Sequence, residues 1–246
     1  MADAPKTTDT RATVAKPAAV HGKAEIDSFL AAAKAVASVA PPAGAGRLIF
    51  AMDATMSRQP TWDLACTLQG QMFEACAVLG GLGVQLVYFR GFSECRASGW
   101  VGDPRRLTAL MSRIDCRGGH TQIGRVLAHV RDEVKRQPVR AFVFVGDAME
   151  EHADDLCAIA GELGLLGIKG FMFQEGHDVA ATGVFREIAR LTGGAYARFD
   201  AGSAAQLLDL LKAAASYAAG GRSALSRLAE REAGAQRLLS QMKGKA

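Results

Sequence analysis

Leu48-Ile49-Phe50-Ala51-Met52-Asp53-Ala54-Thr55-Met56-Ser57 decides how this chain is read. Five apolar residues follow one another without a break, as a strand covered on both faces requires. The run ends in Asp53, and from there every second residue carries an oxygen: the Asp53 carboxylate, then the Thr55 and Ser57 hydroxyls. In a tight loop alternate residues turn to one side, and a hard divalent cation takes oxygen ligands of this kind. Asp, Thr and Ser are also good helix caps, so on this loop alone capping and metal binding stand level.

Outward from the loop, strand and helix patterns alternate. Residues 60–80 carry a helical pattern ending at Gly80-Gly81, and Val84 to Phe89 form a second strand. Ser93 to Val101 suit a short edge strand. Asp103-Pro104 open a helix reaching about Ile114, with proline at its first position. Thr121 to Arg136 form a helix that stops before Pro138, and Ala141 to Val145 a buried strand. A helix from Asp154 to Leu166, a strand from Ile168 to Phe173, a helix from Gly183 to Leu191 and a short strand from Ala195 to Phe199 follow, then a helix over 203–219. Such alternation predicts an α/β fold with a doubly wound, mostly parallel central sheet and helices on both faces. Ligands of such sheets bind beyond the carboxyl ends of the strands.

The flanks read differently. Residues 1–24, rich in Ala, Thr, Pro and Lys, predict a disordered tail. Residues 25–45 hold an amphipathic helix and a Pro/Gly linker, 46–219 the α/β domain, and 220–246 a charged helix or tail, exposed or docked on a partner. With 49% hydrophobic and 22% charged residues, the 246-residue chain has a globular composition. Its net charge is +4 and no dense basic run is interleaved with aromatics, so no nucleic-acid partner is expected. No transmembrane run or leader pattern is visible, and no membrane partner is expected. The five cysteines (Cys66, Cys76, Cys95, Cys116 and Cys157) are odd in number and lack CxxC spacing. This argues against a disulfide framework or a zinc site, and points to a reducing, cytoplasmic setting.

Two further loops fall on the same rim of the sheet. Arg117-Gly118-Gly119-His120-Thr121 opens a helix, where Thr121 has the option of being its N-cap. Gly146-Asp147 follows a buried strand, with Glu150 and Glu151 behind; a capping or solvated-turn role for Asp147 is the plain alternative. Each loop alone is a weak signal. Together they bring two carboxylates and three hydroxyls to one edge, where Asp53 and Asp147 would repel each other without a cation.

The set Asp53-x-Thr55-x-Ser57, Thr121 and Asp147 resembles the metal-ion-dependent adhesion site of the von Willebrand factor A family, whose signature is DxSxS after the first strand, then a Thr and an Asp on later loops. Phe185 to Tyr196 also resembles that family's late helix-turn-strand. The resemblance covers about residues 46–218. It implies a binding module and not an enzyme: Thr55, Ser57 and Thr121 as hydroxyl ligands, Asp53 and Asp147 supplying negative charge, and Mg²⁺ (or Mn²⁺ or Ca²⁺) left open for an Asp or Glu of a protein partner, within a larger complex. Thr55 in place of Ser keeps the hydroxyl, and His120 before Thr121 departs from the family's usual Gly. The competing enzyme reading is a haloacid dehalogenase-like phosphatase with Asp53 as nucleophile and Asp147 and Glu151 on its metal loop. That chemistry needs a proton donor two residues on, where this chain has Thr55.

Overall fold

The computed structural model describes residues 46–59, 82–200 and 203–242. The expected tail, helix and linker over 1–45, the helix over 60–80, and Cys66 and Cys76 lie outside the described residues. Six strands, β1 (Gly46–Asp53), β2 (Leu82–Arg90), β3 (Glu94–Val101), β4 (Ala141–Gly146), β5 (Lys169–Glu175) and β6 (Ala195–Phe199), form one sheet in the order β3-β2-β1-β4-β5-β6. Only β3 runs antiparallel, pairing with β2 at the edge. Six helices complete the described fold: α1 (Pro104–Met111), α2 (Ile123–Arg136), α3 (Ala153–Leu165), α4 (Val179–Thr192), α5 (Ala204–Ala229) and α6 (Ala233–Gln241). The expected doubly wound, mostly parallel α/β architecture is the one observed.

Period-two alternation explains how β1 serves two cores. Leu48, Phe50 and Met52 join the cluster containing Leu107 and Leu110 of α1, Leu207 and Leu211 of α5 and Leu238 of α6. Ile49 and Ala51 join the opposite cluster, with Ile123 and Val126 of α2, Leu156 of α3 and Phe185 and Ile188 of α4. All five apolar residues are fully buried, the four larger side chains each worth about 1.5–3 kcal/mol relative to exposure.

Because β1 lies between β2 and β4, the strand order reverses there. That is the switch point at which open α/β sheets form their crevice, at the strands' carboxyl ends. It is the end from which the loops after β1 and β4 emerge. Close backbone approach shapes the far end: a Cβ on Gly194 would fall 2.0 Å from the Gly170 carbonyl oxygen. This accounts for the second glycine in the α4–β6 turn, while Gly193, at φ +61°, closes α4 in the left-handed region.

The segment after Gly221 does not stand away from the domain. Gly221, at φ +68° and ψ −160°, breaks α5, and the chain continues against its own core. Leu225, Ala235 and Leu238 are fully buried in the first cluster. The Gln241 amide bonds both the N–H and the carbonyl of Tyr196, at 3.0 and 2.8 Å, and so covers part of the open edge of β6. No described helix is long and apolar enough to cross a membrane.

Candidate metal centre

Four hydrogen bonds fasten the crevice loops to β2 and to one another. Ala54 N–H donates to the Phe89 carbonyl of β2 at 2.9 Å, and its own carbonyl accepts from Arg117 N–H at 3.0 Å. The second loop therefore lies beside the first, with Thr55 and Arg117 in an isolated parallel bridge. Gly119 lets the second loop also close on the turn after β2, since a Cβ there would fall 2.0 Å from the Gly91 carbonyl oxygen. The third loop locks to the second through Thr121: its Oγ1 accepts from Glu150 N–H at 3.0 Å, and its N–H donates to Glu150 Oε2 at 3.1 Å. A Cβ on Gly146 would lie 3.5 Å from that of Asp53, so the ends of β1 and β4 are in contact.

All five sequence-predicted residues thus reach one end of the sheet. Thr55, Ser57 and Thr121 line a cleft of about 250 Å³, together with Met56, Gly118, Gly119, Ala148 and Glu150. The Thr55 and Ser57 hydroxyls are 3.1 Å apart. Asp53 is 0% exposed. Its Oδ1 accepts from Thr55 N–H at 2.7 Å, which shapes the loop. Its Oδ2, and Oδ1 of Asp147, are buried with no hydrogen-bond partner among the described residues. Burial raises the Asp53 pKa to about 6 and the Asp147 charge adds to it; the Thr55 hydrogen bonds and Arg58 oppose the rise.

The capping alternative for Thr121 is corrected by this geometry, whereas the helix over 60–80 that Asp53 would cap lies outside the described residues. The turn Met56–Arg58 has no side-chain cap, and Asp53 shapes the loop through Thr55 N–H. Thr121 does not cap α2, whose N-cap residue is Gln122 and makes no side-chain cap bond. Glu151 serves that end from the third loop, accepting from Ile123 N–H and, at 2.9 Å, from Gly124 N–H. A carboxylate at a helix N-terminus satisfies orphan donors and complements the dipole. Glu151→Ala is therefore expected to cost about 1–2 kcal/mol in urea unfolding. An unchanged midpoint would show that water replaces the carboxylate without loss.

One residue of the site escaped the sequence reading. Arg58, directly after Ser57, is 1% exposed and ion-pairs with Glu175 at the end of β5. Burial lowers its pKa, and the charges of Asp147 and Asp53 counteract this. A guanidinium thus lies within electrostatic reach of both carboxylates. A basic residue abutting an acidic loop was the available signal, but its partner lies far along the chain. His120 is exposed, its Nδ1 3.1 Å from Glu150 Oε2, and its ring meets Phe92 edge-on at 5.2 Å. Phe92 (76% exposed) and Met56 leave apolar surface beside the cleft.

The donor set suits a hard cation bound mainly by oxygen. Among the described residues no group of three or more His, Cys, Asp or Glu converges on a metal position. Two carboxylates and three hydroxyls are instead the available ligands, and Mg²⁺, which keeps part of its water shell, accepts such a set.

No family model and no curated protein sequence matches the chain. Solved structures do. A von Willebrand factor type A protein from Catenulispora acidiphila superposes with a TM-score of 0.58 at 16% identity, over 70% of this chain and 43% of that one. The SpRpn10 VWA domain gives 0.54 at 11% identity, over 69% of this chain and 94% of that one. Proximal thread matrix protein 1 from the mussel byssus, with a zinc-occupied MIDAS motif, gives 0.56 at 15% identity, over 70% of this chain and 46% of that one. The chain therefore spans less than half the length of the first and last of these proteins. At such identities the likeness is one of fold, and the fold of this chain is that of the von Willebrand factor A domain.

Proposed function

We propose that the crevice at the ends of β1 and β4 binds one divalent cation, through which the domain engages an acidic side chain of a protein partner. The observation that carries this reading is the pair of buried oxygens, Asp53 Oδ2 and Asp147 Oδ1, without hydrogen-bond partners among the described residues. Buried carboxylate oxygens are ordinarily matched, and a cation matches them. Thr55, Ser57 and Thr121 complete the ligand set from the cleft wall. Thr121 Oγ1 accepts one hydrogen bond and keeps a second lone pair for the ion.

When bound, the ion supplies a Lewis-acid point for a partner's Asp or Glu. Hydroxyl ligands leave it more of its charge than a ring of carboxylates would. The exposed Met56 and Phe92 add an apolar border for residues flanking that acid.

A binding role fits better than phosphoryl transfer. Asp53 is fully buried and unavailable as a nucleophile to a phosphate ester, and Glu151 is engaged by the N–H groups of α2.

Affinity capture from the source cell with Mg²⁺ and with chelator tests the reading, paired with calorimetry of Mg²⁺, Mn²⁺, Ca²⁺ and Zn²⁺. Zn²⁺ is included because the mussel protein's motif holds it. A partner retained with metal and lost with chelator is expected, and Asp147→Ala should lose metal and partner together. Failure of all four ions to bind the wild-type domain would overturn the proposal.

A further inference from the structure

A second cleft, of about 420 Å³, lies between α4, the start of β6 and α6, away from the strand ends that carry the metal-site loops. Its lining carries three cations (Arg186, Arg190 and Arg237) and no carboxylate. Arg186 and Arg190 are one helical turn apart on α4 and so share a face. Arg237 comes from α6. Each head group is already partly placed: Arg186 lies over the Tyr196 ring at 5.1 Å, Arg237 donates to the Arg198 carbonyl at 3.2 Å, and Arg190 is forked onto Glu187.

Arg190 has a plain structural reason to be there. A cation in the last turn of a helix complements the dipole, and Glu187 neutralises it. Neither reason covers the other two. Among the described residues Arg186 and Arg237 meet no carboxylate, and Arg237 belongs to another helix. The neutral floor has little left to offer a cation. The Gln241 amide is spent on Tyr196 and on the Arg237 carbonyl, and the Tyr196 hydroxyl donates to Gln174. The cleft thus presents guanidinium donors to whatever enters it.

We propose that this cleft binds a phosphoryl dianion, either free phosphate or a phosphorylated side chain. Two uncompensated guanidinium groups match two negative charges. The geometry favours a tetrahedral group over a carboxylate, because one fork satisfies a carboxylate, whereas phosphate offers oxygens to the α4 and α6 walls together. The volume exceeds that of phosphate alone and leaves room for a side chain carrying it. The proposal is independent of the metal site.

The test is NMR titration of the domain in chelator, at constant ionic strength, with inorganic phosphate, a phosphoserine peptide and its unphosphorylated form. Chelator removes any phosphate binding through a divalent ion. Saturable shifts at Tyr196 and the three arginines are expected with phosphate and phosphopeptide but not with the plain peptide; the tighter of the two identifies the natural source. Arg186→Gln with Arg237→Gln should weaken binding by roughly tenfold for each guanidinium removed. Both changes are at the surface, and an unchanged urea-unfolding midpoint checks that the variant remains folded. Shifts no larger than chloride gives, or a double variant that titrates like the wild type, would overturn the proposal.

Discussion

Asp53→Asn is expected to stabilise the metal-free domain at pH 7.5 by about 2 kcal/mol, and to abolish the further stabilisation expected of Mg²⁺ in the wild type. Burial, reinforced by Asp147, raises the Asp53 pKa from 3.8 to about 6. The folded state therefore holds a proton on Asp53 between about pH 4 and 6 that the unfolded state has released. The contribution of Asp53 to stability falls as pH rises through that window, and above it the full cost of the buried charge remains. At 1.36 kcal/mol per unit that cost reaches on the order of 3 kcal/mol, and partial relaxation brings it nearer 2. Asn keeps the oxygen that accepts from Thr55 N–H, so the loop retains its shape. Asn is neutral, however, and leaves Asp147 as the one remaining carboxylate of the proposed ligand set. Urea unfolding in chelator should show Asp53→Asn above wild type at pH 7.5 and level with it near pH 4. Adding Mg²⁺ should reverse the order at pH 7.5. A variant weaker than wild type in chelator at pH 7.5, or one that Mg²⁺ still stabilises, would sink the argument.

This cost also indicates how the site is built. A fully buried Asp beside a second carboxylate disfavours the empty fold. A cation in the crevice, as proposed, would remove the repulsion and match the two unpartnered oxygens at once. Metal binding and stability are then one equilibrium, and apparent stability rises with ion concentration over its dissociation constant.

How far the sequence discloses this can be judged residue by residue. The uninterrupted run Leu48 to Met52 specified a doubly covered strand, and its position before an oxygen-bearing loop placed the crevice. The alternation of elements disclosed the parallel sheet. Thr121 was placed at the right rim with its capping role left open, because a threonine before a helix looks the same whether it caps or faces a cleft. What excluded capping was Glu151, a side chain from another loop. The C-terminal segment was misjudged for a related reason. Leu225 and Leu238 sit among Arg, Glu and Lys, and a helix with a narrow apolar stripe reads the same beside its own core as beside a partner. Arg58 was invisible because its partner, Glu175, is brought to it only by the register that sets β4 beside both β1 and β5.

Arg58 carries the second large expectation. Arg58→Met should lower stability in chelator by about 3–5 kcal/mol, because removing one member of a buried ion pair leaves the other uncompensated. For a domain of this size the melting temperature should fall by roughly 10 °C. Loss of packing alone predicts much less, since Met fills much of the arginine stem's volume. Adding Glu175→Gln separates the two accounts: it removes the stranded charge and should restore most of the lost stability. The same substitution acts in the opposite direction on the metal. Arg58 lies close enough to Asp53 and Asp147 to offset part of their charge, and a guanidinium and a divalent ion compete for that field. With Arg58 gone, Mg²⁺ should bind more tightly and raise the melting temperature of Arg58→Met by more than that of wild type. Calorimetry on the Arg58→Met, Glu175→Gln pair reads this without the folding defect. Equal Mg²⁺ affinity in the pair and in wild type would show that Arg58 supports the fold alone. Tighter binding would identify it as the group that keeps the crevice folded while no ion is bound.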